Sequence, residues 1–119
     1  MLLRVVILSA WCIACAAQDF TKDVKPIFEK RCNSCHGATQ QLGGLRLDTH
    51  TSARRVIVAG DSASSKLVQR IVSTRKGHVM PPMGPRLTET EILKIKRWVE
   101  AGAKWPAAPK SRAESAPAG

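Results

Sequence analysis

Apolar positions recur along this chain mainly at steps of three and four. Between Asp19 and Arg31 they are Val24, Ile27 and Phe28, which predicts a short amphipathic helix. Asp23 is placed to cap it, and Pro26 then falls in the first turn, where no backbone donor is needed. Leu67, Val68, Ile71 and Val72 predict a second helix, opened by Asp61 or Ser62 and running to about Ser73, with Lys66, Gln69 and Arg70 turned to water. The strongest pattern lies between Thr88 and Ala101, where Ile92, Ile95, Trp98 and Val99 make one stripe. There Thr88 and Glu91 form a capping box, Leu87 can staple to Ile92, and Gly102 ends the helix. A helix of that length is marginal alone in water, so it needs a partner. The comparably apolar helix is the one bearing Val24 and Phe28, and the reading therefore packs Trp98 near Phe28, with Trp105 plugging the same end. Between these helices, Leu45 and Leu47 alternate after the Gly43-Gly44 pair as in a short extended segment, and Val56 to Gly60 is short and apolar.

One stretch makes a sharper chemical demand. Cys32-Asn33-Ser34-Cys35-His36 sets two thiols three positions apart and follows them with an imidazole, the spacing of c-type haem attachment. Thiols so spaced add across the two vinyl groups of a haem, and the next residue is carried under the iron, which makes His36 the proximal ligand. A backbone carbonyl is expected to hold the His36 ring through its other nitrogen. The same thiol spacing also serves zinc sites, redox pairs and structural disulfides. Zinc needs further thiolates or imidazoles at ligand spacing, and His50 and His78 are scattered; a thioredoxin-like centre needs a preceding strand, for which there is no alternation before Cys32. Every candidate for the opposite face of the iron lies in the loop from Arg75 to Pro85: Met80 first, then Met83 and His78, or an open site. Pro81 and Pro82 stiffen the backbone beside Met80, so its thioether is held at little entropic cost. A Met ligand raises the reduction potential relative to a second His.

The chain of 119 residues is long enough for one small domain, and with two Phe, three Trp and no Tyr its core has room for a flat apolar group. Residues 1–17 read as an export signal: Arg4 is the positive start, Val5 to Ala10 the apolar centre, and Cys15-Ala16-Ala17 the small-residue cleavage region. The domain is then 18–106, and 107–119 is a Pro, Ala and Ser tail without periodicity. Export places the protein in the periplasm or another extracytoplasmic space, where covalent haem attachment is expected. Lys and Arg total 19 against 9 Asp and Glu, a formal charge of +10. The cations are dispersed, with no groove-reading motif or aromatic stacking platform, so nucleic acid is not an expected partner. They serve either as a solvated surface or to steer the protein toward an acidic redox partner, a membrane-associated oxidoreductase or an anionic membrane face.

Several motifs together resemble one family. Phe28 four residues before Cys32, the haem motif, a Met in a proline-bearing loop and Ile95 three before Trp98 are similar to class I cytochrome c. Val24-x-Pro26-Ile27, Cys32 to Gly37, Gly43 to Asp48, Gly60 to Ser65, Met80-Pro81-Pro82 and Gly102 to Pro106 resemble, more narrowly, the planctomycete-type cytochrome c domain. The stretch between Asp48 and Gly60 is shorter than that family's pattern, and family members usually continue into further large domains, so the chain reads as a free carrier or a piece of something larger. The resemblance implies an all-α, small monohaem fold in which N- and C-terminal helices cross beside the haem. It implies one haem c (iron) per chain, bound by Cys32, Cys35, His36 and Met80, with His36 and Met80 on the metal. The function it implies is one-electron transfer, not enzymatic conversion of a substrate. Two other readings stay open: an open-site haem enzyme or gas or redox sensor, and a haem-free disulfide interaction domain.

Overall fold

The computed structural model describes residues 18–107. The leader expected at 1–17 and, beyond Ala107, the tail expected at 107–119 lie outside the described residues. Four α-helices follow one another: α1 (Lys25–Arg31), α2 (His50–Ala53), α3 (Lys66–Val72) and α4 (Glu89–Glu100), with no strand among the described residues. The all-α expectation holds.

The N-terminal element starts earlier than its periodicity suggests. A wide π-type turn, Phe20–Val24, leads into α1, and its cap is Asp19, whose carboxylate accepts from the Lys22 amide at 2.9 Å. Asp23 is not the cap; it closes the box from inside by accepting from the Asp19 amide at 2.9 Å. The extra turn buries Phe20, an apolar residue that three-and-four spacing does not reach. It is also this leading turn that packs on α4. Phe20, Phe28, Trp98 and Trp105 form one aromatic cluster: Phe28 meets Trp98 edge-on at 6.0 Å between ring centres, and Trp105 lies 4.0 Å from Phe20. The Trp98 indole N–H donates to the Lys104 carbonyl at 2.9 Å, so the largest buried side chain is paired as well as packed.

The α4 helix forms as its sequence dictates. Thr88 accepts from the Glu91 amide at 3.1 Å and Glu91 accepts from the Thr88 amide at 2.9 Å, so both halves of the capping box are made. Ile95, Trp98 and Val99 are buried, and Gly102 beyond its end takes a φ of 109°, a backbone shape suited to glycine.

Helix α3 departs from expectation at its start. Asp61 and Ser62 do not open it; they lie in a turn, and the N-cap position belongs to Ser65. Ser65 is fully buried, accepts from the Val58 amide at 2.8 Å and donates to the Asp61 carbonyl at 2.8 Å. Its hydroxyl therefore replaces backbone bonds that the turn cannot make for itself. The same turn is tied to α4, with the Gly60 amide donating to the Val99 carbonyl at 2.8 Å and the Ser62 amide to the Glu100 carboxylate at 3.0 Å. Leu67, Val68 and Ile71 are buried as predicted, whereas Val72 is exposed.

Candidate functional site

The helix α1 delivers the haem motif. The Cys32 and Asn33 amides both donate to the Phe28 carbonyl, at 2.9 and 2.8 Å, which ends the helix and swings the motif into a turn. The His36 amide donates back to the Cys32 carbonyl at 2.9 Å, and the His36 carbonyl accepts from the Leu47 amide at 2.7 Å. The imidazole is thus held from both sides of its own backbone. Gly37, which the sequence reading took only as the end of the family motif, is what lets the chain leave this turn. It is buried, and a Cβ there would overlap the backbone carbonyl of Asn33, which has no freedom to move aside. A glycine directly after a chemical motif is the signal that could have exposed it.

Cys32, Cys35 and His36 line a cleft of about 260 Å³, together with Leu45, Leu47, Val56, Leu67, Ile71, Met80 and Pro81. The lining is mostly aliphatic, and the four donors named at the sequence level, Cys32, Cys35, His36 and Met80, share it. Of the other candidates, Met83 is 84% exposed and, like His78, is not part of this lining. Partial burial, with Arg70 and Arg75 nearby, holds His78 below the ordinary imidazole range. Of the two cations that periodicity turned to water, Lys66 is exposed and Arg70 half-buried, and both border the cleft, one turn apart on α3.

The Gly43 to Asp48 motif explains itself here. Leu45 and Leu47 point to the cleft, while Arg46 between them donates to Asp48 through Nε at 2.9 Å and Nη2 at 2.6 Å. The Arg46 amide is taken up by the Ser52 hydroxyl at 2.8 Å. Hydrogen bonding to Arg46 holds the Asp48 carboxyl below its usual range. The alternation therefore presents an apolar wall inward and an ion pair outward.

The two cysteines are not joined in a disulfide. Burial pushes the Cys32 thiol up to about 12, against the opposing pull of Arg31, so at neutral pH it is a neutral thiol and a poor partner in disulfide exchange. The expected carbonyl behind the imidazole is missing: His36 Nδ1 is buried and has no hydrogen-bond partner.

Residues 32–84 match the family described as Planctomycete cytochrome C. No curated protein and no solved structure matches the chain. A cytochrome c domain implies a covalent haem c, and the donor set fits that group. Among the described residues no three His, Cys, Asp or Glu side chains converge to hold a bare metal ion. What the cleft offers is two thiols that could attach a haem covalently, plus an imidazole and a thioether that could donate to its iron. All of these donors lie inside the matched segment, which is similar to the planctomycete-type cytochrome c domain.

Proposed function

We propose that this domain is an electron carrier that binds one haem c through Cys32 and Cys35, with His36 and Met80 as its axial donors, and works outside the cytoplasm. The observation that carries the reading is the convergence of both thiols, the imidazole and the Met80 thioether on a single aliphatic cleft. When bound, the haem iron supplies the one-electron chemistry. The residues of the chain do the rest. Leu45, Leu47, Leu67 and Ile71 exclude water and so keep the dielectric low around the donors. Met80 adds a neutral sulfur that does not titrate and favours the reduced state. Lys66 and Arg70 set positive charge at the border of the cleft, where carboxylates of the bound group or of a partner would be attracted.

The partner this charge favours is an acidic redox protein or a membrane-associated oxidoreductase. No helix among the described residues is long and apolar enough to cross a membrane. The match to a cytochrome c family favours an electron-transfer protein over an enzyme.

The test is spectroscopic. Exported protein treated with acid and acetone should keep its pigment, and a pyridine haemochrome spectrum should be that of a haem joined by two thioethers. Reduced protein should bind CO poorly, and the ferric form should show the weak near-infrared band of sulfur ligation, absent in Met80→Ala. Colourless exported protein would refute the haem, and rapid CO binding by the native protein would refute Met80.

A further inference from the structure

We propose that Arg31 is a positioning residue that clamps the loop carrying Met80 against the haem motif and so keeps the Met80 sulfur on the cleft. This inference rests on the reading of Met80 as an axial donor.

The loop has an unusual fastening problem. Pro81, Pro82 and Pro85 have no amide hydrogen, so much of the segment cannot anchor itself by donating to neighbouring backbone. Its carbonyls remain, and a carbonyl needs a donor from elsewhere. At the near end the Met80 amide donates to the Arg70 carbonyl at 2.9 Å, and at the far end Arg86 Nη2 donates to the Val72 carbonyl at 3.0 Å. Both anchors attach the loop to α3. Arg31 is the one that attaches it to the opposite wall.

Arg31 is the last residue of α1 and directly precedes Cys32, so its backbone moves with the attachment motif. Its Nη2 donates to the Pro85 carbonyl, a contact spanning 54 residues of sequence. Its Nη1 lies 3.8 Å from Glu91 Oε1, with the two side chains only 16% and 20% exposed. Glu91 is itself immobilised, because the same oxygen accepts from the Thr88 amide in the capping box of α4. One guanidinium therefore joins the haem motif, the end of the Met80 loop and the start of α4. Arginine suits the task because its planar fork serves a carbonyl and a carboxylate at once, which a lysine ammonium on a flexible stem does less well. The side chain also lines the cleft, so its loss would loosen the loop where looseness changes ligation.

The experiment uses the exported holoprotein, with Met80→Ala as reference. Arg31→Ala should keep its haem content and helicity, lose most of the near-infrared sulfur band, and bind CO about tenfold faster when reduced, the factor expected from losing one charge-assisted hydrogen bond at partial exposure. Arg31→Lys should recover part of the band. Band intensity and CO access identical to wild type in Arg31→Ala overturn the clamp. Should that variant not fold, Glu91→Gln decides: glutamine preserves the capping box but removes the charge that steadies Arg31, so CO binding should quicken, and an unchanged rate overturns the proposal. A wild type without the sulfur band refutes Met80 and the clamp together. A wild type with the band and an unaltered Arg31→Ala refutes only the clamp.

Discussion

Replacing Ser65 by alanine removes one oxygen from a fully buried site and should cost more than its size suggests. That oxygen accepts from the Val58 amide and donates to the Asp61 carbonyl, both at 2.8 Å, and so holds the turn that leads from the cleft residue Val56 into α3. Alanine leaves a backbone donor and a backbone acceptor unpaired. Each made bond contributes about 0.5 to 1.5 kcal/mol net, and an unsatisfied buried group costs about 1 to 3 kcal/mol. Val58 is itself 47% exposed, so its amide can partly recover through water, and the combined loss is set near the low end, about 2 kcal/mol. In a domain of this size that lowers the melting temperature by about 10 °C. The assay is thermal and urea unfolding of holoprotein followed by far-UV circular dichroism, with the exposed neighbour Ser64→Ala as control. A Ser65→Ala melt within about 2 °C of wild type would show that the turn does not depend on this hydroxyl, and the account of α3 would fall.

Gly37→Ala should lower the yield of haem-loaded protein and destabilise what forms by about 1 to 3 kcal/mol, because its methyl meets the Asn33 backbone carbonyl; a wild-type urea midpoint would refute the close approach. Trp98→Phe keeps an aromatic ring but loses the bond to the Lys104 carbonyl and some volume, so a loss of about 2 kcal/mol in urea unfolding is expected, and no loss would mean the indole N–H is idle. Hydrogen bonds from Arg46, Ser64 and Ser62 hold Asp48, Asp61 and Glu100 below the ordinary carboxyl range. Depressed folded values mean that the unfolded chain takes up protons first as pH falls, so stability present above about pH 4 should be lost below it. Glu100→Gln should reduce the difference between urea midpoints at neutral and acid pH, and an undiminished difference would exclude that carboxylate. Electron exchange with an acidic partner should slow as salt rises, and a salt-independent rate would remove the steering role of the basic surface.

The parts of this protein legible in the sequence are those whose partners lie within about a turn of one another. The thiols and imidazole of Cys32, Cys35 and His36 point to haem attachment through their spacing, once the zinc and redox readings are weighed against the rest of the chain. Thr88 and Glu91 find each other three residues apart, and Ile95, Trp98 and Val99 define a buried face, because helical periodicity puts such neighbours together whatever surrounds them. Even the meeting of Phe28 with Trp98 could be reasoned out, since two apolar stripes in a short chain have few other places to go. Asp19 in place of Asp23 as the N-terminal cap, and Ser65 in place of Asp61 or Ser62, mark where local pattern stopped being enough: burial of Phe20, and the Val58 amide that needs the Ser65 hydroxyl as its acceptor, moved those boundaries.

The sequence ranked Met80 before Met83, and the tertiary structure separates the two, with Met80 on the cleft, its amide tied to the Arg70 carbonyl on α3, and Met83 in water. The tertiary structure alone turned Lys66 and Arg70 toward the cleft, paired Ser62 with Glu100, and carried the Arg31 side chain to Pro85. Such contacts join residues tens of positions apart, and no period or spacing encodes them. They come into being when burial of the apolar stripes brings distant segments together and leaves polar groups that must find whichever partners the packing has put within reach.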